Sequence, residues 1–341
     1  MKYRRLGGTG LFVSELSLGS ATFGGGTKLY AGIGALPQEQ VNELVRIAVE
    51  AGVNLIDTAD VYSEGMAEEM VGQAIRDLGL RRDELLIATK VGDAMGTSPN
   101  SSGGSRYHIE NAVEGSLRRL KLNHVDLYQL HDFDPATPIE ETMEAMQNLV
   151  RRGLVRYVGV SNWAAWQIAV ARSTSGTRET ARCDFLQAYY SLAGRDIERE
   201  IVPALKHHAM GLMVWGPLAG GSLSGKYRTG TSGRRDKFDF PPVEEGRVSA
   251  ILQVMDRMAA RSGHAHAQIA IAWLLAQSHV TSVVLGATKP EQLRETLAAR
   301  DVTIEPAELV ELDLASDLPG EYPGWMQALK GAPRRALIHP R

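Results

Sequence analysis

The 341-residue chain has a single cysteine, Cys183. That scarcity excludes an intramolecular disulfide framework and the usual cysteine-rich zinc sites, and it suits a reducing cytoplasm. Long apolar runs are missing too: no window approaches the roughly 18 apolar residues that a membrane helix requires. The N-terminus, Met1-Lys2-Tyr3-Arg4-Arg5-Leu6, shows no apolar signal segment. Neither charge sign dominates. A net charge of -3 points to neither nucleic acid nor an anionic membrane as partner. No paired histidines or carboxylate cluster suggests a metal, and no Gly-x-Gly-x-x-Gly follows the first strand, which argues against an open dinucleotide-binding sheet. What remains is a soluble, cytoplasmic protein.

The chain is 44% hydrophobic and 23% charged, ordinary for a globular protein with a large core. Tyr3 to Leu6, the turn Gly7-Gly8-Thr9-Gly10 and Leu11 to Val13 predict an N-terminal β-hairpin over 1–13. Short apolar runs then recur near residues 16, 55, 87, 128, 158, 187, 213 and 284. Helical patterns alternate with them: from Pro37 to Gly52, from Met66 past Ile75, and over 107–121, 139–152, 163–173 and 197–209. Eight βα units close a parallel barrel, so the expected fold is an α/β (β/α)8 TIM barrel in one domain, 1–341. Long loops follow the third strand (92–105) and the seventh (218–245), and a tail runs over 318–341.

Chemistry gathers at the strand ends. The run Val53, Leu55, Ile56 stops at Asp57, and Tyr62 follows in a polar turn. A phenol ionises only near pH 10 in isolation, so acid–base work requires a neighbouring cation, itself anchored. Lys90 ends the third apolar run, and His131 ends the fourth. Singly, each has an ordinary explanation: Asp57 as a helix cap, Lys90 as a charge leaving the core, His131 as a structural imidazole. Together they bring four ionisable groups to one barrel mouth, a proton-donating set.

In order and spacing, Asp57, Tyr62, Lys90 and His131 resemble the catalytic tetrad of the aldo-keto reductase superfamily. Gly52-Val53-Asn54 through Glu64-Gly65 and Gly153 to Asn162 look like its signatures. The likeness runs from Arg4 to Leu293. Trp215-Gly216-Pro217-Leu218-Ala219-Gly220-Gly221, with Ser224-Gly225-Lys226-Tyr227, is similar to bacterial members akin to the β-subunits of voltage-gated potassium channels. The resemblance implies a reversible NADP(H)-dependent reduction of an aldehyde or ketone. NADPH would supply hydride, NADH being the less favoured cofactor, and Tyr62 the proton. Lys90 held by Asp57 would tune Tyr62, and His131 would orient the carbonyl.

It also implies a cofactor groove. Ser161, Asn162 and Gln187 would hold the nicotinamide carboxamide, with Gly19, Ser20 and Asp57 beside the ring. Trp215 would stack on that ring, its plainer reading being a core aromatic. Backbone amides from Gly216, Pro217 and Leu218 to Gly220 and Gly221 would approach the pyrophosphate. Lys226 and Arg234 or Arg235 would supply phosphate cations, unless they are only a solvated charge run. Gly286, Thr288 and Gln292 would meet the 2′-phosphate, and Glu295 the adenine. Position 292 is glutamine and position 296 threonine where many members carry arginine and asparagine.

Phe23, Tyr62, His131 and Trp163, with Met95, are expected around the substrate. Two other classes stay open: a channel-subunit-like redox sensor, which would hold cofactor without turnover, and a metal-dependent barrel hydrolase. The tail loses helical periodicity after Asp317 yet carries Tyr322, Trp325 and Met326. It is expected to pack at the substrate opening or against a neighbouring subunit of a homo-oligomer.

Overall fold

A computed structural model describes residues 1–25, 33–177, 180–229, 235 and 239–335. Arg234, a candidate phosphate cation, lies outside them. Two short strands, β1 (Tyr3–Arg5) and β2 (Phe12–Ser14), pair antiparallel as the expected hairpin. Eight parallel strands follow and close into a barrel: β3 (Leu16–Gly19), β4 (Leu55–Asp57), β5 (Leu86–Val91), β6 (Val125–Leu130), β7 (Val155–Ser161), β8 (Cys183–Tyr189), β9 (Gly211–Trp215) and β10 (Ser282–Leu285). Strand β10 pairs with β3 to complete the ring. All eight sit where the apolar runs predict them. Runs buried on both sides, against lumen and helices, are nearly all apolar for that reason.

The surrounding layer begins with α1 (Gln38–Glu50), α2 (Met66–Asp77), α3 (Arg106–Leu120), α4 (Ile139–Arg151), α5 (Ala165–Thr177) and α6 (Ile201–His208). Two helices, α7 (Glu245–Ser262) and α8 (His266–Ala276), intervene before β10, and α9 (Pro290–Leu297) and α10 (Pro306–Ser316) follow it. None of these helices is long and apolar enough to cross a membrane.

The two ends of the barrel differ. At the floor, Leu6 and Val13 of the hairpin join Leu55, Ala88, Leu127, Phe185 and Met213 in one apolar plug. Gly7, with φ +55°, lies so close to the Gly211 backbone that a Cβ there would come within 2.4 Å of its nitrogen. Gly159 on β7 makes room for Phe185, whose ring would stand 2.4 Å from an added Cβ. The floor is solid, and polar side chains are left to the mouth.

The tail departs from expectation. Instead of losing helical order it forms α11 (Gly324–Arg335). Pro319 and Pro323 lie ahead of the helix, and Pro333 falls in its last turn. Arg199 holds the approach, donating to the Pro319 carbonyl at 3.0 Å and pairing with Glu321 at 3.4 Å. Tyr322 and Trp325 meet edge to face and stand 73% and 49% exposed, so within this chain they turn outward.

Candidate active site

Asp57 ends β4 and Lys90 lies one residue inside the end of β5, so both project into the mouth. The Lys90 ammonium is fully buried, 2.6 Å from Asp57 Oδ2, and donates to the Thr58 carbonyl at 2.8 Å. Its third contact is the Tyr62 hydroxyl at 3.2 Å. A buried ion pair is tolerable only when its remaining hydrogen-bonding capacity is filled. Asp57 Oδ1 accordingly accepts from Gln129 at 3.2 Å and from Gln187 at 2.9 Å.

Tyr62 is carried there by local chain direction. Beyond β4 the backbone keeps bonding to β5, Thr58 N–H to Ala88 at 2.9 Å and Asp60 N–H to Lys90 at 3.3 Å. It then reverses through Ser63, Glu64 and Gly65, with φ of 50°, 60° and 93°. Three successive residues in the left-handed region are costly, and only the glycine adopts it freely. The Ser63 hydroxyl, bonded to the Phe23 carbonyl at 2.7 Å, helps hold the turn.

His131 completes the set from the end of β6. Its ring meets that of Tyr62 edge to face, centroids 5.6 Å apart. Its Nδ1 lies 2.8 Å from Asp93 Oδ2. The imidazole beside it holds the Asp93 carboxyl below the usual carboxylate range, against the opposing effect of burial. Burial raises the neighbouring Asp132, although Asn162 donates to it.

On the opposite side of the mouth the predicted cofactor residues are gathered, but already paired with one another. Ser161 is buried at the end of β7, in register with Gln187. Gln187 gives its amide to Asp57, which ties it to the tetrad. Asn162, at φ +58°, donates to the His131 carbonyl (3.2 Å) and Asp132 (2.9 Å) and accepts from the Trp215 indole (3.0 Å). The Trp215 ring stacks on Phe240 with centroids 5.5 Å apart and planes 9° apart, while Tyr189 tilts against it at 5.1 Å. Gly216, at φ +66°, packs against Tyr189.

The loop after β9 makes tight turns in which Ala219 N–H bonds Gly216 O and Gly221 N–H bonds Leu218 O, both at 2.9 Å. Two amides of the expected phosphate cradle are thus engaged, and Pro217 has none to offer. The cations converge all the same. A Cβ on Gly221 would touch Lys226 Cε at 3.3 Å, and one on Gly220 would touch Arg235 Cγ at 3.4 Å. Lys226 also lies over the Tyr227 ring, and Arg235 bonds the Pro241 carbonyl (2.7 Å) and pairs with Asp239. Near β10, Gln292 accepts from the Thr288 N–H and hydroxyl at 3.2 and 3.1 Å, at the start of α9. Gly286 borders open space, Glu295 is exposed and its carbonyl accepts from Gln268, and Gly19 lies flush against Val284. Ser20 donates its N–H to the Asp57 carbonyl, and its buried hydroxyl has no partner among the described residues.

Two expected substrate contacts are covered by the chain. Phe23 is fully buried in the core, since its segment bridges to Leu36 and tucks beneath the mouth. Trp163 is 2% exposed and packs edge to face on Phe133. Sequence reading missed Gln129, Asp93 and the tetrad bond of Gln187. Gln129 carried a signal: a lone amide inside an apolar strand, in register with Lys90, needs a buried partner. Asp93 gave none, two residues beyond its strand in a glycine-rich loop.

The sequence profile of the Aldo/keto reductase family matches residues 15–317. A probable voltage-gated potassium channel subunit beta from Oryza sativa subsp. japonica is 37% identical over 311 residues, covering 89% of this chain and 92% of its own. One of the same description from Arabidopsis thaliana is 36% identical, at 89% and 92% coverage. An uncharacterized oxidoreductase of Bacillus subtilis (strain 168) is 34% identical, covering 89% of this chain and 93% of its own. With its eight-stranded barrel, and with the profile spanning nearly all of it, the chain belongs to the aldo/keto reductase family, whose members carry out NAD(P)H-dependent oxidoreduction of carbonyls.

Proposed function

We propose that the protein reduces an aldehyde or ketone to an alcohol, reversibly, with NADP(H), and that Tyr62 donates the proton. The observation that carries this is the 3.2 Å contact between the Tyr62 hydroxyl and a buried Lys90 ammonium backed by Asp57. When bound, the reduced nicotinamide supplies hydride to the carbonyl carbon. The chain supplies the rest. His131 and Tyr62 face the carbonyl oxygen, Tyr62 passes its proton to that oxygen, and Lys90 stabilises the charge left on the phenol. At about 4 Å and an effective dielectric near 20, a unit charge offers roughly 4 kcal/mol before its own desolvation.

The residues present suit the dinucleotide. Gly220 and Gly221 bring the backbone close to Lys226 and Arg235, cations suited to an anion, and Asn162 with Gln187 carries amides at the ring end. Exchange of the Asn162 and Arg235 bonds described above accompanies binding. Thr288 and Gln292, beside open Gly286, favour NADPH over NADH. A substrate and product exchanged with solvent at neutral pH suit a soluble, cytoplasmic enzyme.

The test is steady-state turnover of a carbonyl panel with NADPH and with NADH, alongside Tyr62→Phe. Tyr62→Phe is expected to keep its fold and its NADPH affinity within about twofold while turnover falls at least 100-fold, the scale of a lost general acid. Retention of more than about a tenth of turnover would remove the proton-donor role. Two relatives are described as probable channel subunits, and a cofactor-holding sensor would show binding with hardly any turnover.

A further inference from the structure

Beneath the Tyr62 turn lies a charged pair unaccounted for by the chemistry above. Glu68, in the first turn of α2, is fully buried. One carboxylate oxygen accepts from Thr89 Oγ1 at 2.5 Å, and the other meets Arg119 Nε at 2.7 Å. Burying a carboxylate costs several kcal/mol unless it is paired, so such a group demands a reason. Its partners supply one.

Thr89 immediately precedes Lys90 on β5. Side chains alternate along a strand, so Lys90 enters the mouth while Thr89 faces the helices and is gripped by Glu68. Arg119 reaches Glu68 from α3 by passing directly under Gly65, the last residue of the left-handed turn. A Cβ at Gly65 would stand 2.6 Å from Arg119 Cδ and 2.9 Å from its Nε. Seven residues on, Gly72 lets α3 come closer still, its absent Cβ lying 2.2 Å from the Leu120 carbonyl oxygen. The guanidinium stem therefore forms the support on which the turn rests. One carboxylate links the residue before Lys90 to the support under the third residue after Tyr62.

We infer that Glu68, Arg119 and Thr89 are positioning residues that set the placement of the Tyr62 hydroxyl against the Lys90 ammonium. The inference rests on the reading of Tyr62 as proton donor. The clamp touches neither substrate nor cofactor. It acts by holding in place a turn whose own backbone preferences oppose it, where a displacement of about 1 Å costs on the order of 100-fold in rate. Its neighbour Asp60 is buried too, and burial, reinforced by Glu68, pushes that carboxyl well above the usual range. The ionisable groups around the turn are thus Lys90, Asp57, His131 and Asp93 on the mouth side, and Glu68, Arg119, Asp60 and Tyr128 beneath.

Two variants in the full-length holoenzyme test this. Glu68→Gln with Arg119→Met removes both charges at nearly constant shape, so no ion is stranded. Thr89→Val deletes one hydroxyl and keeps the β-branched fit. The double variant is expected to bind NADPH within about twofold of wild type while kcat falls at least tenfold and the pH profile of kcat shifts. Thr89→Val is expected to lower kcat about threefold with NADPH affinity unchanged. Arg119→Lys, which keeps the charge and the aliphatic stem under Gly65 and gives up only the planar guanidinium, should retain more of the rate than the double variant. A merely structural role would lower thermal stability and leave kcat per folded molecule and its pH profile untouched. That result, in either the double variant or Thr89→Val, overturns the inference. Should the double variant not fold, Thr89→Val decides alone. Tyr62→Phe run in parallel separates the two readings: if it stays active, the donor role fails whatever the clamp variants do.

Discussion

The two sides of the barrel mouth are built to different rules. On the β4–β6 side the ion pair of the tetrad is buried and fully bonded within the same machine: Asp57 takes three donors, and Lys90 gives three bonds. On the β7–β10 side, polar groups are also paired, but in the open and with partners that a ligand can replace. Asn162 holds Asp132 and Trp215, Arg235 holds Asp239, and Gln292 caps Thr288. The first arrangement is preorganised for charge that develops during reaction, where rearrangement costs rate. The second keeps exposed groups satisfied until something binds.

The largest effect should come from breaking the buried side. Lys90→Met strands Asp57 and should cost about 3–5 kcal/mol of stability, with turnover lost. Adding Asp57→Asn should recover most of the melting temperature and none of the turnover. Recovered turnover would remove Lys90 from the chemistry. Next is the hinge between the two sides. Asp93→Asn, which takes the carboxylate from His131, should lower kcat about tenfold, within the range of a general acid–base contribution, and move the pH profile. A change confined to KM would make Asp93 a substrate contact instead.

On the exposed side, Lys226→Ala with Arg235→Ala should weaken dinucleotide binding about tenfold per lost charged contact, or about 1.4 kcal/mol. Equal loss for NADPH and NADH places these cations on the pyrophosphate; a larger loss for NADPH places one on the 2′-phosphate. Phe240→Ala uncovers one face of Trp215, and titration should show NADPH affinity rising about threefold, the scale of one aromatic contact. A fall would mean that Phe240 stays and clamps.

The smallest effect is in the loop anchor. Arg228 and His266 hold the half-exposed Asp256 carboxyl at about 2. Because that value is depressed, the stabilisation is complete above the ordinary carboxylate pKa of about 4 and is lost as pH falls towards 2. Asp256→Asn should therefore lower the melting temperature slightly at pH 7 and not at all at pH 2.

The same contrast governs what the sequence disclosed. Strands β3 to β10 were legible because residues buried on two faces must be apolar and short runs cannot be helices of useful length. Asp57, Lys90 and His131 were legible because they interrupt those runs at equivalent ends. Glu68 was not: a glutamate in the first turn of a helix is unremarkable, and only the fold shows it to be buried. That Phe23 and Trp163 are covered was not legible, since an aromatic beside a strand end faces the mouth or the core according to the path of the following loop. The helix in the tail was not legible because prolines at 319 and 323 break the helical periodicity just ahead of α11.

The hairpin plug bears on how the molecule is made. Arg4 donates to the carbonyls of Leu275 and Val280, Val283 N–H bonds Glu15 O, and Gly8 N–H bonds Ala209 O. Arg4 and Glu15 thus find these partners only once residues 280 and 283 have been made. Until then β3 has an unpaired edge and the lumen an open floor, a burden shared by folds rich in distant contacts. The N-terminal fifteen residues act as a final latch. Removing them should leave a chain that makes its helices yet aggregates during refolding, while a tag appended before Met1 must run clear of the hairpin.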